Sequence, residues 1–251
     1  MAPEDARANV LTIDGPAGVG KSSVARRVAA RLGFFHLDTG AMYRAVTLAA
    51  LRAGLVRPED VAAERLVPVL AHWVTARRMR VGGGGKVWLD DEDVSDEVRS
   101  AAVTALVSPV SAVPSVRAAL VEWQRALAAE QAKVQGGVVV EGRDAGSFIF
   151  PHARWRFYLD ASLLERARRR LRQHSGAQIV SHDDSHELTV AMERLAQRDR
   201  IDRERPVAPL CVPDGATVLD TTHLGLEQVV DAIFAEVAAE PGGAPTPRAA
   251  P

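Results

Sequence analysis

At 251 residues, 47% apolar and 25% charged, the chain has the composition of an ordinary globular protein and the length for one compact domain elaborated by insertions. Its formal net charge of -1 argues against a dedicated nucleic-acid binder, which presents net positive charge to displace phosphate counterions. No apolar run approaches the length of a bilayer helix, the single cysteine, Cys211, leaves no internal disulfide, and no Cys/His spacing suits zinc.

Residues 1–9 are expected to be a flexible N-terminus. Met1 to Val10 carries Glu4, Asp5 and Arg7 ahead of a short apolar run and lacks the layout of a secretory signal, so a cytoplasmic protein is expected. Val10 to Asp14 is a β-rich run that stops at Gly15-Pro16, and Lys21 to Leu32 reads as an amphipathic helix ending at Gly33. Phe34 to Leu37 suits a second strand. Gly40 to Leu51 suits a helix that terminates near Gly54, and residues 60–74 suit another. Met79 to Val81 and Lys86 to Leu89 flank four consecutive glycines, which signals a hairpin in a small antiparallel insert, about residues 75–100. Ala101 to Val107 and Val116 to Ala132 read as helices. Val138-Val139-Val140 before Glu141 is an unbroken apolar run of the kind that lies in a parallel sheet covered on both faces, and Trp155 to Leu159 repeats it.

Leu163 to Gln173 follows as a helix whose exposed face is almost all arginine. The polar stretch from His174 to Glu187 is a candidate lid, so the lid spans about 165–190, and Leu188 to Arg203 resumes the helix. Ala216 to Asp220 and Leu226 to Ala239 complete the pattern, ahead of a Pro/Gly/Ala-rich tail, residues 241–251, expected to be disordered. Strands alternating with helices predict an α/β fold: a mostly parallel sheet of the P-loop NTPase type with helices on both faces, in one domain over 10–240.

Gly15-Pro16-Ala17-Gly18-Val19-Gly20-Lys21-Ser22 matches a P-loop, and it stands where that motif must, between a strand and a helix. The glycines let backbone N–H groups converge on a phosphate and the helix N-terminus adds partial positive charge; Ser23 continues the first turn. Lys21 can reach the β and γ phosphates of a nucleoside triphosphate and the Ser22 hydroxyl can ligate Mg2+, with Glu141 placed to hold a magnesium-bound water. P-loops also serve switches, motors and pumps, so the cradle alone leaves the reaction open. The remaining signal is cationic. Arg166, Arg168, Arg169, Arg170 and Arg172 form one cluster, and Arg194, Arg198, Arg200, Arg203 and Arg205 a second, which suits a compact polyanionic ligand. His36 and His182 have no partner spacing that suggests metal or catalysis.

Three further blocks stand in order: Asp38-Thr39-Gly40-Ala41-Met42-Tyr43-Arg44, Glu141-Gly142-Arg143-Asp144, and Arg198 to Arg205 followed by Pro206-Val207-Ala208-Pro209-Leu210. With the P-loop, they resemble bacterial cytidylate kinases, and the resemblance runs from about Val10 to Ala238. It implies a monomeric kinase that uses ATP and Mg2+ to phosphorylate CMP or dCMP. Arg44 and Arg143 would grip the acceptor phosphate, with Thr39 nearby. Ser108, Arg117 and Asp144 would read the cytosine edge, Asp202 would face the sugar, and Arg198 and Arg205 would flank it on the phosphates. The insert and the Asp93-Val94-Ser95 turn resemble the family's extra lobe near the acceptor, and Arg166 to Arg172, Arg168 among them, the lid that closes on ATP. Transfer would be direct, with Lys21, Arg143, Asp144 and Arg198 carrying it. Departures from the family are Ala145, smaller than the usual apolar residue; Ser147 for threonine; His152, where an acid is usual; and Ile201, charged in some relatives. A kinase for another small acceptor such as UMP, or a slowly hydrolysing P-loop switch, are the alternatives.

Overall fold

The computed structural model describes residues 9–56, 79–175 and 185–239. Strand β1 (Val10–Asp14) is buried along its whole length. The chain then turns through Gly15 into helix α1 (Lys21–Leu32), which starts at Gly20 (φ 102) and stops at Gly33 (φ 68), both left-handed positions that favour glycine. Strand β2 (Phe35–Asp38) leads straight into α2 (Thr39–Arg52). That helix begins one residue before Gly40 because the Asp38 carboxylate caps it, accepting the Ala41 N–H at 2.9 Å.

The insert follows as β3 (Met79–Gly82), β4 (Lys86–Leu89) and β5 (Glu92–Asp93), an antiparallel sheet in that order. The glycine run makes the first turn, with Gly84 and Gly85 at φ 75 and 80. The third strand adds to the expected hairpin. Met79, Val87, Leu89, Val94 and Val98 bury into the same cluster as the apolar faces of α2 and the next two helices, so the insert shares the main core.

Helix α3 (Ala101–Ala112) runs past the expected stop at Val107. Pro109 lies inside it and removes one N–H donor, yet Val103, Leu106, Val107 and Val110 all face the core, and that burial outweighs one missing bond. Pro114 then opens α4 (Pro114–Gln135), where its missing N–H costs nothing. After β6 (Val138–Glu141) and β7 (Trp155–Asp160) come α5 (Leu163–Ser175) and α6 (Ser185–Glu204), then β8 (Thr217–Asp220) and α7 (Leu226–Ala239). The helix expected over residues 60–74, the middle of the polar stretch after α5, and both termini lie outside the described residues. Among the described residues no single helix is long and apolar enough to cross a membrane.

The main sheet has the order β2-β6-β1-β7-β8, and every pairing is parallel. Side chains alternate between its faces. Val138 and Val140 join the cluster with α2, α3 and α4, while Val139 joins Leu11, Ile13, Trp155 and Phe157 under α1 and α7. This two-sided burial is why the valine run is unbroken. All five strands end in an acid, Asp38, Glu141, Asp14, Asp160 and Asp220, along the edge where ligands bind in such sheets.

Gly15 is the tightest point of that edge. At φ 147, a Cβ there would lie 2.2 Å from the Leu159 carbonyl oxygen. Gly15→Ala should lower stability by at least about 2 kcal/mol in urea unfolding; an unchanged midpoint would mean the loop can shift away from β7.

Candidate active site

The P-loop side of the site is held by its own backbone and by the neighbouring strand. Lys21 is buried, and its Nζ donates to the carbonyls of Gly15 at 2.8 Å and Pro16 at 2.7 Å. Burial, and then the nearby Arg143, push its pKa well below the ordinary lysine range, against the pull of Glu141, Asp14 and Asp199. An anion arriving at the loop would raise it again. Ser22 Oγ donates to Glu141 Oε2 at 2.8 Å, and the other carboxylate oxygen lies 2.9 Å from His36 Nε2. Burial works against ionisation of Glu141, but His36, Ser22 and Lys21 together outweigh it and hold its carboxyl below the usual range. His36, which its sequence spacing sets aside, is therefore part of this site; it becomes a neighbour of Glu141 because β2 pairs with β6, Asp38 opposite Glu141.

The opposite side is built from α2, α6 and the segment after β6. Thr39 Oγ1 donates to the Glu141 carbonyl at 2.7 Å. Arg44 donates to the Val98 carbonyl and to Thr104 Oγ1, at 3.1 and 2.9 Å. Arg143 Nε donates to Asp202 at 3.0 Å. Burial lowers the pKa of Arg44 to about 10, with Arg198 the next cause, and that of Arg198 to about 10, with Arg143 the next. These guanidiniums crowd one another and still stay charged at neutral pH. Asp144, itself buried, is bonded by Arg117 and ion-paired with Arg205 at 3.1 Å. Arg117 is fully buried behind it, under the Tyr43 ring, whose hydroxyl is pushed up to about 12 by burial and then by Asp144.

One open cavity of about 1010 Å³ joins the two sides. Its wall includes Ala17 to Ser23 of the loop and Thr39, Arg44, Ser108, Arg143, Asp144, Arg198, Asp202 and Arg205 opposite. Gly15 and Pro16 lie behind the wall, as does Arg117. Arg168 is exposed and not on the wall, whereas Arg169, Arg170 and Arg172 from the same helix are.

The expectation of a solvated arginine face on α5 fails at Arg166, which is buried. Its Nη1 donates to the Ala17 carbonyl at 3.0 Å and to Asp199 Oδ2 at 2.5 Å, while Asp199 Oδ1 accepts the Ala17 N–H at 3.0 Å. α5 and α6 are thus rooted on the P-loop through one closed ion pair. Sequence reasoning missed Asp199 because its partner lies 33 residues away.

A family model described as cytidylate kinase matches residues 11–239. The chain belongs to the cytidylate kinase family. A cytidylate kinase of Symbiobacterium thermophilum is 46% identical over 225 residues, 90% of this chain and 94% of the relative. One of Salinibacter ruber is 43% identical over 235 residues, 93% and 98% of the two chains. A solved structure titled TT1252 from Thermus thermophilus aligns over 92% of this chain and 98% of its own, at 21% identity and a TM-score of 0.41. For this family member the buried pair at the root of α5 and α6 should matter far more than an exposed one. Asp199→Ala, which strands Arg166, should cost about 3–5 kcal/mol in urea unfolding. Glu227→Ala, which breaks the exposed Arg27–Glu227 pair, should cost under about 1 kcal/mol.

Asp14 gives a pH signature. Burial raises its pKa from 3.8 to about 7, against the amides of Gly146 and Ala145 that pull it down. Between those values the folded state binds the proton that the unfolded state has released, so rising pH removes stability. The stability difference between the wild type and Asp14→Asn should shift in favour of the variant from about pH 4 to about pH 7 and flatten above it. A difference that is flat across this window, by urea unfolding, would rule the assignment out.

Proposed function

We propose that this chain transfers the terminal phosphate of ATP directly to the phosphate of CMP or dCMP. The observation that carries the reading is the single cavity with a P-loop on one wall and Arg44, Arg143, Arg198 and Arg205 on the other. A switch or motor has no use for a second anion seat of this kind. In this reading the loop amides and Lys21 hold the donor phosphates, and Arg44 and Arg143 fork the acceptor phosphate. Its oxygen is already a competent nucleophile at neutral pH, so positioning and charge stabilisation carry the rate and no general base is needed.

Asp144 selects the base. A carboxylate accepts from the exocyclic amine of cytosine and meets a like-polarity carbonyl on uracil, while Arg117 and Arg205 keep it aimed. Asp202 faces the acceptor sugar and orients Arg143 through their shared bond. Ser108 stands beside the base and Thr39 beside the phosphate. Among the arginines of α5, Arg170 on the cavity wall is better placed to meet ATP than Arg168, which is exposed away from it.

The Ser22 hydroxyl and the Glu141 carboxylate, 2.8 Å apart at the mouth of the loop, suit a hard cation such as Mg2+. Among the described residues no group of three or more acidic, His or Cys side chains could hold a metal ion. When bound, that ion neutralises charge on the donor phosphates.

The reading is checked by ADP release in a coupled assay with CMP, dCMP, UMP and AMP. CMP-dependent ADP formation is expected, and Asp144→Ala should raise the KM for CMP by roughly a hundredfold, the scale for truncating a buried charge-assisted contact. Efficient turnover of UMP or AMP without CMP overturns the substrate assignment. ATP hydrolysis that CMP does not change returns the chain to the P-loop switches.

A further inference from the structure

We infer that Asp14 is a positioning residue for base recognition: its carboxylate fixes the turn that aims Asp144 into the cleft. The inference rests on the proposed role of Asp144 in reading the acceptor base. Asp14 is fully buried at the end of β1 and is not on the cavity wall, so it has no direct part in holding either nucleotide. Its partners explain its presence. Oδ1 accepts the Ala145 N–H at 2.8 Å and Oδ2 accepts the Gly146 N–H at 2.6 Å, the two amides that directly follow Asp144.

Those amides open a short π-type turn, Ala145–Ile149, and the first N–H groups of any helical turn have no acceptor inside it. Asp14 supplies both acceptors from the adjacent strand. At the same residue the Asp144 carbonyl accepts the Phe148 and Ile149 N–H groups, each at 3.0 Å, and upstream the Gly142 N–H donates to the Ile13 carbonyl at 3.1 Å. The backbone of Asp144 is therefore tied on both sides to β1, and its side chain leaves the turn towards Arg117 and Arg205. The fit is tight. A Cβ at Gly146 would lie 2.6 Å from Thr12 Oγ1 and 3.2 Å from Asp14 Oδ2, so only glycine lets that amide reach the carboxylate. Two hydrogen bonds from one buried acceptor thus set the direction of a side chain 130 positions along the chain.

Titration calorimetry with CMP, UMP and ATP tests the pin on wild type, Asp14→Asn, Gly146→Ala and the double variant. Asp14→Asn keeps the shape but turns an NH2 group against one amide. At about pH 8.5, where the carboxyl is ionised, it should weaken CMP binding about tenfold, narrow the preference for CMP over UMP by a similar factor, and leave ATP binding within about twofold, as expected for one lost bond to a charged acceptor. Gly146→Ala disturbs the same contact from the other side and should give the same split. The double variant should lose no more than the worse single, because both remove one interaction. Equal weakening of ATP and CMP, an unchanged CMP/UMP preference, or additive losses overturns the inference; so does a wild type that binds no CMP. A wild type that binds CMP without CMP-dependent ADP release sinks the kinase reading alone, since calorimetry still decides the role of Asp14.

Discussion

Parallel pairing of β1 with β6, Ile13 opposite Glu141, is the contact from which the site follows. It brings the start of the P-loop and the Glu141-Gly142-Arg143-Asp144 segment to the same sheet edge, although they are more than a hundred positions apart in the chain. Several polar groups at that edge then find their partners across the strand boundary: Ser22 with Glu141, Asp14 with Ala145 and Gly146, and Thr39 with the Glu141 carbonyl. Each bond spans a long loop. None can form until the sheet has formed, so the chemistry is assembled by the fold's least local contacts.

Burying this much charge is a poor way to stabilise a protein. A buried ion pair costs about as much to desolvate as it returns, and apolar residues of the same volume would often do better. Arg117 with Asp144, and Arg166 with Asp199, therefore need a reason other than stability. Direction supplies it, since a carboxylate held by two guanidiniums, like Asp144, or by a guanidinium and a backbone amide, like Asp199, has one orientation. Arg44 and Arg198 differ, because burial and neighbouring arginines depress their pKa and, among the described residues, Arg198 Nε has no hydrogen-bond partner. Two anions in the cleft would relieve both, so a ligand that fills the cleft should stabilise the folded state.

What could be read from the sequence divides along the same line. The P-loop, the glycine-rich turn of the insert and the doubly buried valine strand were legible because each is a local pattern with a local cause: a strained turn, a left-handed residue, a strand covered on both faces. Thr39, Arg44, Arg143, Asp144 and Asp202, on the cavity wall opposite the loop, were legible only through resemblance to a family, as arginine and aspartate have no diagnostic spacing of their own. His36, Asp14 and Asp199 were not legible at all. Their partners sit 105, 131 and 182 positions away, and no periodicity encodes that. The helix expected to stop at Val107 runs on to Ala112 through Pro109, because Val103, Leu106, Val107 and Val110 are all buried.

The arginines of α5 show how the ambiguity resolves once partners are known. A helix that carries five arginines reads as a solvated face. Arg166 is spent on Ala17 and Asp199, and Arg169 on the Val19 carbonyl and Thr221, so both hold the loop and the sheet edge to the helix. Arg170 faces the cleft, its pKa lowered by burial, and among the described residues its one side-chain bond is to Gln173 on its own helix. A guanidinium desolvated by the fold yet bonded only to a neutral neighbour is poised for an anion, whereas one already bonded to carbonyls and a carboxylate is not. Charge count alone made these residues equivalent; their acceptors separate the ones that build the cleft from the ones that face what enters it.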